Sequence, residues 1–544
     1  MAAGALPAAQ RGRFHSLVYT SAEVEAAQRP FDTREAFHDL FLDRIFDAAY
    51  GALAPRPRTS FERGTQDSDA EWRAEVHTLL GGLFATPASD VALARQRQEI
   101  ARDLNDDDVA RLMRDFQAAM ALMREGLRRA RQASNRIESQ GWLLDAAQAY
   151  CQALEDLQAG LDAMAPPSTI LCQLRADLAA YRSAANYLEM AGSVASLRHD
   201  LGQLRYAVRI EGDQVTVLHD PAAEDYSATV ARTFARFRQA DARDYRSQAE
   251  GRIPMDHVEA RIVDRVALLD PELFTRLDRF KQRWEQFADP RWLRLDRELC
   301  FYLLWGDYIR RLLGAGVECC LPELVEVPGS IDVTAACDLA LADQAARAHQ
   351  TLVPNDFVLR GTERVIVVTG PNHGGKTTLA RVFGQIHHVA SLGLCVAARH
   401  ARLAFPDRVL THFERAEDIT SQRGKLQEDL VRMKAIVQTA SPRSVVVMNE
   451  VFSSTSLDDA LWLGRRMMGT LRSIGCCCLL VTFLDELATF DQDTVSMVAL
   501  VDPADPAVRT YKVVRRAADG RAYAQALAEK YRVTRAWLAR RIAS

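Results

Sequence analysis

Residues 363–380 read ERVIVVTGPNHGGKTTLA, and within them Gly370, Pro371, Asn372, His373, Gly374, Gly375, Lys376 and Thr377 fit the pattern G-x-x-x-x-G-K-[ST]. Phosphates are held where consecutive backbone N–H groups converge on one spot, and glycine lets that backbone come close. In such a loop Lys376 reaches the β- and γ-phosphates of ATP, the Thr377 hydroxyl ligates Mg²⁺, and the cradle extends to Thr378. Lysine stands only at 281, 376, 425, 434, 512 and 530, and every other basic residue is arginine. A compact ammonium is thus kept at the one place where a planar guanidinium fork would not fit.

The second chemical stretch is SVVVMNEVFSSTSLDDA, residues 444–460. An apolar strand that ends in an acid, downstream of a phosphate loop, supplies the group that polarises a water for attack on the γ-phosphate. Glu450 is that catalytic candidate. Asn449 stands where an aspartate usually helps hold the metal; an amide keeps the acceptor oxygen but drops the charge, which predicts weaker Mg²⁺ binding.

These groups need a scaffold, and the sequence around them alternates strand and helix. Strands are expected at 365–369, 444–448, 475–482, 495–501 and 508–514, with helices at 377–391 and 457–474 between them. That alternation implies a largely parallel sheet with its ligand at the carboxyl ends of the strands. Before residue 326 the period is helical. Short amphipathic helices are expected near 34–50, 69–84 and 88–103, and one long helix over 106–164. Another runs from Pro166-Pro167 to about Leu204, and further helices cover 225–246, 255–288 and 292–313. YAVRIEGDQVTVL at 206–218 reads as a hairpin set between them. Pro322, Pro328 and Gly329 mark a boundary, which divides the chain into 1–105, 106–325 and 326–544.

The 544 residues carry a formal charge of −4, so the chain as a whole has no pull towards nucleic acid. On the first long helix Arg128, Arg129, Arg131 and Arg136 lie close enough together to touch phosphates, although Glu125 and Glu138 flank them and favour a solvated face. Ten cysteines show no C-x-x-C spacing, and Cys476-Cys477-Cys478 reads as part of a buried strand. The start lacks a basic, apolar leader and no apolar run is long enough for a bilayer, which points to a cytoplasmic protein with no membrane contact.

TGPNHGGKTT, the Asn449-Glu450 strand end with SSTSLDDA, VTFLDEL at 481–487 and the tail TYKVVRRAADGRAYAQALAEKYRV together resemble the ATPase domain of the MutS DNA mismatch repair family. The motifs cover roughly residues 350–535, and residues 106–320 match that family's lever helices and clamp by layout only. The resemblance implies an α/β phosphate-loop ATPase of ABC type behind a mainly α-helical lever region, using ATP and Mg²⁺, acting as a homodimer and binding DNA. It places TSQRGKLQEDL, residues 420–430, across the dimer, where Lys425 would meet the partner's γ-phosphate in place of the usual hydroxyl residues. The family's mismatch-reading Phe-x-Glu has no clear counterpart, FER at 61–63 lacking the surroundings, and Phe483 replaces its histidine. Two functions follow: an ATP-driven DNA clamp with slow hydrolysis, or a nucleotide-switched interaction protein with little turnover. No LSGGQ-like signature supports another branch of ABC-type repair ATPases.

Overall fold

The computed structural model describes residues 14–27, 34–54, 70–164, 168–212, 214–219, 255, 257–327, 330–414, 424–505 and 508–518. The amino-terminal helices are α1 (Ala22–Ala27), α2 (Arg34–Asp39), α3 (Leu42–Tyr50), α4 (Ala70–Ala85) and α5 (Val91–Asp103). Next come α6 (Asp107–Gln132), α7 (Arg136–Met164), α8 (Thr169–Ser183) and α9 (Ala185–Gln203). The hairpin β1 (Ala207–Glu211) and β2 (Gln214–Leu218) follows as expected, then α10 (His257–Leu269), α11 (Pro271–Trp284) and α12 (Pro290–Gly314). The helix expected at 225–246 lies outside the described residues.

The single helix expected over 106–164 is instead a helical hairpin. Asn135 breaks it: its side-chain oxygen accepts from the N–H groups of Ile137 at 2.8 Å and Glu138 at 3.1 Å, capping α7 as a new helix. With both partners available, α6 and α7 bury Met120 and Met123 against Leu143 and Leu154 in one core rather than projecting as one arm. The second long helix likewise breaks at Ala184, between α8 and α9. The arginine cluster is drawn into these contacts. Glu125 pairs with both Arg128 and Arg129, Arg129 lies over the Trp142 ring at 4.6 Å, and Arg136 pairs with Asp278 of α11.

Beyond residue 320 two sheets form. β3 (Glu323–Val325), β4 (Ile331–Ala336), β5 (Asn355–Leu359) and β7 (His400–Ala404) make a four-stranded sheet in the order β3-β7-β4-β5, with α13 (Leu339–Ala348) between β4 and β5. No strand is expected here from the sequence: β4 and β7 do alternate, with Ile331 and Val333 and then Ala401 and Leu403 buried, but over too few residues to stand out. The larger sheet contains β6 (Val365–Thr369), β8 (Val409–Phe413), β9 (Val445–Asn449), β10 (Cys477–Val481), β11 (Thr494–Val501) and β12 (Arg509–Arg515). Its order is β12-β11-β6-β10-β9-β8, parallel throughout except for the antiparallel edge strand β12. The helices α14 (Lys376–Ser391), α15 (Lys425–Thr439) and α16 (Leu457–Ile474) connect its strands.

Both faces of this sheet are covered, which is why its strands read as unbroken apolar runs. Ile366 and Val368 face one core with Leu379 and Phe383 of α14, whereas Val365 and Val367 face a second core with Met433 of α15 and Met467 of α16. Cys477 faces the first core and Cys476 and Cys478 the second, all buried thiols acting as small apolar residues.

The amino-terminal helices brace α14 from behind. A Cβ on Gly384 would meet Leu40 Cδ2 at 2.6 Å, so α3 and its preceding turn approach the helix backbone directly. Gln385 donates to the Leu40 carbonyl at 2.9 Å and accepts from the Leu339 N–H at 2.9 Å. Buried Arg97 of α5 donates to Val18 O at 3.0 Å and Leu392 O at 3.4 Å, joining the first described segment to the end of α14.

Candidate active site

Sheet register delivers the chemistry. Val368 of β6 pairs with Val481 of β10, Val481 with Asn449 of β9, and Asn449 with Phe413 of β8, so all four lie in one row. The next residues, Thr369, Thr482, Glu450 and Glu414, form the carboxyl edge. Backbone bonds hold that edge: Thr482 N–H donates to Val368 O at 3.1 Å and Glu450 N–H to Val481 O at 2.9 Å.

β6 leaves this edge into the glycine-rich loop. Gly370 has φ 113° and lies so close to β11 that a Cβ would meet the Ala499 carbonyl oxygen at 2.9 Å, so only glycine fits. Gly375, φ 92°, caps α14 without a side chain, leaving the first-turn N–H groups of that helix facing the loop's hollow. His373, φ 59°, takes the loop over its crest. Asn372 is fastened by Arg509, whose Nε donates to the Asn372 carbonyl at 3.0 Å.

Lys376 is buried, with Nζ 2.8 Å from Gly370 O, 3.3 Å from Pro371 O and 3.5 Å from Asn372 Oδ1. Burial lowers its pKa, while Glu450 and Asp485 oppose that and Arg509 adds to it. Phe483 closes over it, the ring centroid 4.7 Å from Nζ. Phe483 is thus a cation–π lid on the lysine and donates no hydrogen bond from its side chain, unlike an imidazole.

The Thr377 hydroxyl donates to Asn449 Oδ1 at 3.1 Å. These two oxygens suit a hard cation that keeps several waters and takes its remaining ligands from phosphate, as Mg²⁺ does. No group of three or more His, Cys, Asp or Glu poised to hold a metal occurs among the described residues. Thr378 accepts from Arg381 Nη2 at 3.4 Å.

Glu450 sits at φ 57°, a left-handed turn that lifts its carboxylate off the strand end. Burial raises its pKa; Lys376 pulls it down and Glu414 pushes it up. A carboxylate so biased is a better proton acceptor near neutrality than an exposed one. The hollow between these groups measures about 580 Å³ and is lined by Asn372 to Thr378, Glu450 and Tyr511.

The structure brings Lys376, Thr377, Asn449 and Glu450 together at this edge. Lys425 does not line this hollow. It begins α15 and pairs with Glu414, whose Oε1 also accepts from Ser453 Oγ at 3.1 Å. Residues 420–423 of the same stretch and 61–63 lie outside the described residues, as does the tail beyond 518. Sequence reasoning missed Glu414, Arg509 and Tyr511. Glu414 follows the strand VLTHF, whose buried Thr411 and His412 break the apolar signal, and nothing local marks the other two.

Residues 366–535 match the family model described as MutS domain V. The chain is similar to endonuclease MutS2 of Thermus thermophilus, 28% identical over 228 residues, or 39% of this chain and 30% of that protein. It is 34% identical over 143 residues to the DNA mismatch repair protein MutS of Erythrobacter litoralis, covering 26% of this chain and 16% of that one. It is 33% identical over 148 residues to DNA mismatch repair protein MutS 2 of Halobacterium salinarum, covering 27% and 17%. The chain thus spans less than a third of the length of these relatives. No helix among the described residues is long and apolar enough to cross a membrane.

Proposed function

We propose, from the premise that this chain is a member of the MutS family through its domain V, that it is a Mg²⁺-dependent ATPase that works as a homodimer on DNA in the cytoplasm. The observation that carries the reading is the convergence of Lys376, the Thr377–Asn449 pair and Glu450 around one hollow.

In this reading Lys376 turns its ammonium from the loop carbonyls to the β- and γ-phosphate oxygens, and the α14 N–H groups hold the phosphate chain. Thr377 and Asn449 would hold Mg²⁺, which would supply charge neutralisation to the phosphates. Glu450 holds a water by its carboxylate and accepts its proton as that water attacks the γ-phosphorus and the bond to the leaving ADP breaks. Phe483 screens Lys376 from solvent. Lys425, released from Glu414, serves the partner's γ-phosphate when two subunits close.

Asn449 and Phe483 favour slow turnover, each withholding a group that would speed hydrolysis. They also support a second reading, a nucleotide-switched interaction protein with little turnover. Turnover of the wild type against Glu450→Gln separates the two: a measurable rate that the variant loses, with ATP binding kept, identifies an ATPase. A rate at background in both leaves the switch. DNA association is tested with duplex, branched and single-stranded ligands, with and without ATP, over several salt concentrations. Absence of binding under all of them sinks that part.

A further inference from the structure

We propose that the hollow at the turn of the α6–α7 hairpin is a second binding site, for a small organic anion with one charged headgroup on an apolar body, held through Lys281.

This hollow measures about 770 Å³, larger than the one beside the phosphate loop. Its walls come from the end of α6, the first turns of α7 and the elbow where α11 gives way to α12. Because the Asn135 cap turns the chain back here, Leu127 of α6 and Leu143 of α7 line one space, and Phe287 and Leu293 of the elbow complete an apolar floor.

Lys281 of α11 stands half-buried in the wall, a lysine in a chain whose cations are almost all arginine. Its Nζ donates to Ser139 Oγ at 2.8 Å, and that hydroxyl gives its own proton to the Ala130 carbonyl at 2.6 Å. One hydroxyl oxygen is the ammonium's partner among the described residues, so its other N–H groups are left to the hollow. The nearest carboxylate is committed elsewhere: Asp278, one turn back on α11, takes Arg136 on one oxygen and Gln140 on the other. Glu285, one turn on, is exposed and forms no ion pair with the lysine among the described residues. A half-buried cation without a carboxylate costs free energy that an entering anion recovers.

The charge count sets the headgroup. Arg131, Arg136 and Lys281 line the hollow against Glu285 and the Asp278 paired with Arg136, three cations to two anions, which leaves one positive charge over. A single carboxylate, sulfonate or phosphate-type group balances it, and a polyphosphate overshoots. The floor adds the second requirement, since a bare inorganic anion would leave Leu127, Leu143, Phe287 and Leu293 uncovered, whereas a hydrocarbon or aromatic body fills the space above them.

The test titrates the full chain with two fluorescent probes: anilinonaphthalene sulfonate, an aromatic body with one anionic headgroup, and N-phenylnaphthylamine, the same kind of body uncharged. Lys281→Met removes the charge and keeps the stem, Lys281→Arg keeps the charge, and Arg131→Gln removes the exposed cation at the rim. The expected result is ~10-fold or greater weakening of the sulfonate by Lys281→Met. Arg131→Gln should weaken it several-fold, Lys281→Arg should stay close to the wild type, and the uncharged probe should bind all four proteins alike. A wild type that does not bind the sulfonate, or that binds it no better than Lys281→Met does, overturns the proposal. Equal weakening of both probes would show the lysine to be only a prop for the wall, and overturns it too. Should Lys281→Met fail to fold, Arg131→Gln decides: an unchanged sulfonate affinity there has the same consequence.

Discussion

The Thr377 hydroxyl meets Asn449 Oδ1 at 3.1 Å, tying the first turn of α14 to the last residue of β9. An amide in this position accepts the threonine proton as a carboxylate would, so the geometry of the metal pocket is preserved while its charge is absent.

Restoring that charge should tighten the metal. Asn449→Asp is expected to lower the Mg²⁺ concentration needed for half-maximal ATP binding several-fold without lowering turnover, since a hard anionic oxygen replaces a neutral one. A Mg²⁺ titration of both proteins measures it. A large loss of activity would give the amide N–H₂ a positive role.

Lys376→Ala removes a charge-assisted contact of about 1.5–3 kcal/mol, so ATP affinity should fall roughly 10- to 100-fold. The bonds to Gly370 O and Pro371 O go with it, so thermal stability without ligand should be recorded alongside. Calorimetric titration with ATP decides, and wild-type affinity would remove the basis of the functional reading.

Lys425 and Glu414 form a close pair at the foot of α15. If that lysine serves the partner's nucleotide, Lys425→Ala should keep ATP binding but lose turnover and ATP-induced dimer closure. Mixing it with Lys376→Ala subunits should then restore one site. Sedimentation and turnover of the mixture settle this; no recovery, with Lys425→Ala alone behaving as wild type, would leave the lysine as Glu414's counter-ion.

Glu298 of α12 is buried and accepts from Ser16 Oγ and the Leu17 N–H, both at 2.7 Å, while Arg294 Nε lies at 3.3 Å. Burial pushes its carboxyl up to about 7, against an ordinary 4.5, despite those donors. The folded state therefore holds the proton more tightly than the unfolded chain, and stability falls as pH rises from about 4.5 through 7. This one group accounts for about 3 kcal/mol across that window. In Glu298→Gln the slope of stability against pH should flatten there, measured by denaturant unfolding at several pH values. Parallel slopes in the two proteins would show that the carboxyl titrates normally.

Buried salt bridges predict the last effect. Arg381 of α14 donates from Nε to Asp338 Oδ2 at 3.0 Å, and Gln385 Nε2 meets the other oxygen at 3.1 Å. Asp338→Ala takes the counter-ion from the part-buried Arg381 guanidinium and uncaps α13, and should destabilise by about 3–5 kcal/mol. A loss under about 1 kcal/mol would mean that Arg381 reaches solvent or another acceptor.

The sequence by itself determined the local parts. β-branched runs buried on both faces, glycines at turns, and the strand ends at Thr369 and Asn449 are constraints that each act within a few residues, and they reveal Lys376, Thr377, Asn449 and Glu450. Their convergence is another matter. It needed the order β6-β10-β9, in which β10, last of the three in the chain, lies between the other two; such pairing is set by long-range packing that no local period records. Tertiary contacts alone likewise laid Phe483 over Lys376, set Glu414 against Lys425 and pushed Tyr511 into a strained bulge through Asn355. The expected single helix over 106–164 failed for the same reason. Its apolar stripe predicted helix correctly, but one capping asparagine and the gain from packing two helices against each other decided that the chain turns back at residue 135.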